Sequence, residues 1–111
     1  IYDVLSAYPI LGRGPNQLDP HNAALAMAVS GKTRHRKLLQ IRRRHWNETA
    51  RACGIAEGAE PWINELLERI DPAIQHVQAL LPADFPDGVA TPIFEGLRQA
   101  GARLAAMTED A

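Results

Sequence analysis

The sequence holds one cysteine, two residues each of Trp, Tyr and Phe, and a net charge of only -1 over 111 residues. Each scarcity excludes something. With Cys53 alone there is no internal disulfide; a lone thiol fits a reducing cytoplasm and reads as a small core residue. No apolar run approaches the ~18 residues that a membrane span requires, and no signal-peptide pattern is present. The four histidines, His21, His35, His45 and His76, pair neither with each other nor with Cys53 at a zinc-like spacing. His45 and His76 fall on or near helical apolar stripes and are expected to be packed side chains. Ser30-Gly31-Lys32-Thr33 imitates the end of a phosphate loop, but the required earlier glycine is Ala26. Gly12-Arg13-Gly14 fails as a dinucleotide fingerprint because Gln17 occupies the third glycine position. No nucleophile elbow is visible.

What is present is an uneven charge distribution. Between Lys32 and Arg51 lie eight of the twelve basic residues, opposed there only by Glu48. This block carries +7, and the remainder of the chain compensates it. Two readings follow. The block can be a solvated helix face paired with the acids of a neighbouring helix. Alternatively Lys32, Arg34, Arg36, Lys37, Arg42, Arg43 and Arg44 can contact phosphate, as nucleic acid, or an acidic protein. Trp46 is the one aromatic residue among these charges, so a stacking platform for single strands is not supported.

The hydrophobic pattern predicts a mainly α chain. Residues 11–22 are rich in Gly, Pro, Asn and Asp and read as an irregular loop. Ala23–Val29 is a short apolar run whose periodicity does not separate strand from helix. A first helix is expected over Arg36–Ala52, stopped by Gly54. A second begins near Glu60-Pro61. At Asp71-Pro72 it either kinks or gives way to a new helix capped by Asp71; the apolar phase survives the junction, which favours the kink. A third runs from about Thr91-Pro92, or a turn earlier, to Met107, and its Ala- and Gly-rich second half should let another helix approach closely. Trp46, Leu66, Leu67, Ile70, Ile93 and Leu97 are the expected scaffold core. With only one candidate strand, the first third of the chain has no sheet to join. That, and an apolar-rich run at the first residue, lead to the expectation that the chain is part of a larger protein.

YDVLSAYPILG, then LAMAV and a Gly-Lys turn, then RRRHW, and finally LLPADFP occur in that order along essentially the whole chain. This arrangement resembles the C-terminal region of the HipA-like kinases, the serine/threonine kinase toxins of bacterial toxin–antitoxin pairs. The resemblance implies the helical C-terminal part of a protein-kinase-like C-lobe with a short extended N-terminal segment. Residues 1–33 would be a metal-site segment, loop and short strand, and residues 34–107 a helical scaffold. It further implies ATP and Mg²⁺ as cofactors, with Asp3 as the magnesium ligand and Tyr2 lining the nucleotide pocket. The implied partners are a protein substrate and a DNA-binding antitoxin, with operator DNA nearby, and the implied location is the cytoplasm. In kinase order the phosphate-binding lysine, phosphate loop and catalytic Asp and Asn precede the metal-binding aspartate, so this chain alone is expected to be inactive.

Overall fold

The computed structural model describes residues 4–111. Its elements are a two-stranded antiparallel sheet and three helices: β1 (Ala24–Val29), β2 (His35–Lys37), α1 (Arg43–Ala52), α2 (Glu60–Leu80) and α3 (Asp87–Ala105). Short 3-10 turns cover Tyr8–Ile10 and Leu38–Gln40. Mainly α is therefore the architecture, and no described helix is long and apolar enough to cross a membrane.

The largest departure from expectation is at the start of the first helix. Leu38 and Ile41 fit the stripe of a helix beginning at Arg36, yet His35–Lys37 is a strand and Arg42 is extended at φ -119°, ψ 163°. The reason is tertiary. An isolated strand at Ala24–Val29 leaves its backbone groups unpaired, and the segment after the Ser30-Gly31 turn supplies the partner. The strands pair Ala24 with Lys37 and Val29 with His35, with a register slip between. Inside that interval the Arg36 guanidinium donates to the Leu25 carbonyl at 3.1 Å. The first third thus has a sheet of its own, and the boundary between loop-and-strand and helical scaffold lies near Arg43 rather than residue 34.

Other boundaries follow local chemistry. α1 stops at Cys53, and Gly54 takes φ 90°, which glycine adopts without a Cβ clash. Cys53 itself is exposed, not a core residue, and so is His76. α2 runs unbroken through Pro72, the single-helix alternative. Asp71, which would have capped a new helix, instead accepts a hydrogen bond from Arg98 Nε on α3 at 3.1 Å. α3 begins a turn before Thr91 and lies against α2 where Gly101 faces Ile70; a Cβ at Gly101 would collide with the Ile70 side chain. The N-terminal segment is fastened to the same helix, since the Tyr8 ring occupies the space that a Cβ at Gly96 would need.

The apolar core is small: Ala23, Val29, Ala50, Ile63 and Ile74 are the buried hydrophobic residues among those described. Leu66, expected inside, is 64% exposed, and Trp46 and Leu97 are also exposed. All three line an open cleft of about 520 Å³ bordered by the hairpin, α1, α2 and α3. The radius of gyration, 15.5 Å, exceeds the roughly 13 Å of a close-packed chain of this length, as an open cleft requires. In chemical denaturation Leu66→Ala should cost less than about 1 kcal/mol, whereas Ile74→Ala, at a site only 1% exposed, should cost about 2–5 kcal/mol.

Candidate functional site

Asp3 and Tyr2 lie outside the described residues. The segment that follows them is held by short-range contacts: Val4 and Leu5 are exposed, Ser6 Oγ accepts the Tyr8 amide at 3.3 Å, and Tyr8 packs on α3. Among the described residues, no three His, Cys, Asp or Glu side chains converge in a group that could hold a metal ion.

The basic block is divided by the fold. Lys32 and Arg34 sit in the hairpin turn, Arg36 and Lys37 on β2, and Arg42 and Arg44 at the start of α1, and all six are exposed. None has a carboxylate partner at ion-pair distance among the described residues. A helix face neutralised by a neighbouring acidic helix is thus not what these six residues form.

Arg43 is different, because the helix turns it away from its neighbours and inward. Consecutive residues on a helix point about 100° apart, so three adjacent arginines cannot share a face. Arg43 is 8% exposed and forms a two-pronged ion pair with Glu60 at the start of α2, with Nε donating to the carboxylate at 2.9 Å. Its second terminal nitrogen also reaches Asn64 Oδ1 at 3.0 Å. The other terminal nitrogen donates to the carbonyls of Leu104 and Met107, both at 3.3 Å, at the end of α3. One side chain therefore ties three helices together, and Arg43 is withdrawn from the set available to a partner.

Asn47, one turn along α1 and 1% exposed, completes this network. Its amide donates to Glu60 at 2.7 Å and to the Glu109 carbonyl at 3.2 Å, while its oxygen accepts the Ala59 amide at 2.7 Å. Gly58 is required here: its φ is 82°, and a Cβ would lie 2.7 Å from Asn47 Oδ1. No described buried side-chain polar atom lacks a partner. The hydrogen bond from Arg43, followed by that from Asn47, holds the Glu60 carboxyl below its ordinary value against the opposing effect of burial.

A second polar cluster joins the hairpin to α1. The His35 and His45 rings stack with centroids 3.9 Å apart and planes 10° from parallel. His45, 2% exposed, is packed as its helical position suggested, and its Nδ1 accepts the Arg42 amide at 3.1 Å. Asn47, Glu60 and the histidine stack were not nominated from sequence. The available signal was Arg43 and Asn47 four residues apart, hence on one helix face, with a polar residue of poor helix propensity in the middle of a short helix.

Two further expectations come from this geometry. Arg43→Met leaves the half-buried Glu60 carboxylate without its counter-charge and should cost up to about 3 kcal/mol in urea titration, with Arg43→Met/Glu60→Gln recovering part of it. Because the folded Glu60 carboxyl is held low, its contribution is complete above the unfolded value and is lost as pH falls through the folded one. The denaturation midpoint should therefore drop on acidification below about pH 4.5, and less so in Glu60→Gln. The chain matches no family model and no curated protein, so no relative assigns a role to this surface.

Proposed function

We propose that this chain is the helical C-terminal part of the C-lobe of an ATP- and Mg²⁺-dependent serine/threonine protein kinase, of the kind that serves as the toxin in bacterial toxin–antitoxin pairs. The observation that carries this reading is the ordered set YDVLSAYPILG, LAMAV, RRRHW and LLPADFP, which spans the chain and resembles the HipA-like kinases. On this reading Asp3 supplies a hard oxygen ligand to the magnesium that bridges the ATP phosphates, and Tyr2 borders the nucleotide. Magnesium would supply charge neutralisation on the transferred phosphoryl group. The remaining described residues act as scaffold. Tyr8, five positions after Asp3, fastens the segment to α3, and the Arg43–Glu60 pair fixes α3 to α1 and α2. One metal ligand without the lysine, catalytic aspartate and phosphate loop does almost nothing, so the 111-residue chain alone is inactive on this reading. A protein substrate and a DNA-binding antitoxin are its partners, in the cytoplasm.

A second reading is favoured by the exposure of Lys32, Arg34, Arg36, Lys37, Arg42 and Arg44 without carboxylate partners among the described residues. These six would make the region a module that binds nucleic acid, or an acidic surface of the antitoxin, through charge.

The protein in the length its gene encodes should transfer the γ-phosphate of ATP to protein serine or threonine in the presence of Mg²⁺, and Asp3→Ala should lower the rate by at least about 100-fold. Transfer that is unaffected by Asp3→Ala, or a protein that binds no ATP·Mg, would remove the kinase reading. Binding of duplex DNA distinguishes the second: its log–log salt dependence should reach a slope of roughly -5 if all six cations meet phosphates, and flatten in Lys37→Glu.

A further inference from the structure

We propose that the stacked His35–His45 pair is a pH-sensitive latch that fastens the β-hairpin to α1, closed while the His45 imidazole is neutral and opened when acid charges it. The geometry is that of a built joint. His35 lies on β2 and His45 on the first turn of α1, with ring centroids 3.9 Å apart and planes 10° from parallel. Gly31, in the hairpin turn, makes room for both rings: a Cβ there would lie 2.9 Å from His35 Cδ2 and 3.1 Å from His45 Cδ2. Beside the stack, Thr49 Oγ1 accepts the Ser30 amide at 2.8 Å and donates to the His45 carbonyl at 2.7 Å. The Ser30–Thr49 hydrogen bond and the His35–His45 stack, side by side, thus join the hairpin to α1.

The neutral ring of His45 has a structural task that the charged ring cannot perform. The Arg42 amide donates to Nδ1 at 3.1 Å and the Arg44 Nε–H points at Nε2 from 3.4 Å, so N–H donors face both ring nitrogens and a doubly protonated ring can accept from neither. A second proton on Nδ1 removes that acceptor and sets one donor against another at the start of α1. The surroundings oppose the charge as well. The positive charges of Arg44 and Arg42 and the His35 ring disfavour a cation at His45, and Glu48 acts the other way. Burial is the largest cause, followed by His35, and together they hold His45 below the ordinary imidazole value. For a base whose folded value is depressed, the unfolded or undocked state takes up more protons. The latch is therefore fully closed above about pH 6.5 and loosens as pH falls below it.

The Arg43–Glu60 pair does not titrate in this window. An arginine keeps its proton, and the Glu60 carboxyl is held low. Mild acid therefore acts on the hairpin while the three-helix junction stays shut. Opening frees the turn bearing Lys32 and Arg34 from α1, which changes the presentation of the exposed cations without altering their number.

Amide hydrogen exchange on the whole chain, expressed as protection factors from about pH 7.5 to about pH 5, tests this directly. The Ser30 amide reports the hairpin joint, and the Ala59 amide, bonded to Asn47, reports the helix junction. Ser30 protection should fall by about tenfold or more while Ala59 protection holds. In His45→Gln, where the amide side chain can still accept the Arg42 N–H but does not titrate, Ser30 protection should no longer depend on pH. The His45 ring resonances of the native protein, followed by NMR, give a readout that needs no variant: their midpoint should lie below that of a free imidazole and move with the Ser30 loss. Ser30 protection that is constant over this range, that falls equally in a folded His45→Gln, or that falls only together with Ala59 would overturn the latch.

Discussion

The Arg43–Glu60 ion pair is the interaction on which the rest of this structure depends. A chain with only five buried apolar side chains among its described residues cannot rely on hydrophobic burial to orient three helices. Arg43 instead distributes its donors to a carboxylate at the start of α2, an amide on α2 and two carbonyls at the end of α3. Asn47 adds the turn before α2 and the backbone at Glu109. Such a junction is specific rather than strongly stabilising. Its gain in attraction is set against the cost of taking both charges from water, but removal of one partner leaves the other stranded.

Around this polar joint the apolar surface remains largely open. Trp46, Trp62, Leu66 and Leu97 line the cleft bordered by the hairpin, α1, α2 and α3, and each stays more than a third exposed. The hairpin turn, β2 and the start of α1 carry the six exposed cations, which have no carboxylate partner among the described residues. Charge asymmetry in the sequence is therefore preserved as a surface property, with one exception. Arg43 crosses from the surface set to the interior because, as the first residue of α1, it points about 100° away from Arg44, and Arg42 is extended outside the helix.

Most of the helical architecture was legible in the residues. Pro61 and Gly54 mark a start and a stop by backbone chemistry that operates wherever the segment is placed. The small residues of α3 foretold a close approach, realised at Gly101 against Ile70. Where the reading failed, a distant partner decided. Leu38 and Ile41 carry a helical spacing, but β1 recruits His35–Lys37 as its ladder partner and the helix starts seven residues late. Leu66 lies on an apolar stripe that no described segment covers, so periodicity placed it in a core that is an open wall. Of the candidate site, the exposed cations were legible as a block, whereas Asn47, Glu60 and the histidine stack were not, because each depends on residues ten or more positions away.

The sequence by itself determined the number and type of the helices, the helix stops, the lack of a disulfide within these 111 residues and the concentration of positive charge between Lys32 and Arg51. These follow from local backbone preference, composition and side-chain period, which act over a few residues. Only the tertiary structure decided that the apolar run at Ala24–Val29 is a strand, that Arg43 is buried while Arg42 and Arg44 are not, and that two histidines ten residues apart stack face to face. Pairing, burial and stacking are properties of two segments at once. A single segment's pattern states what it could offer, and the partner that folding brings to it determines what is taken up.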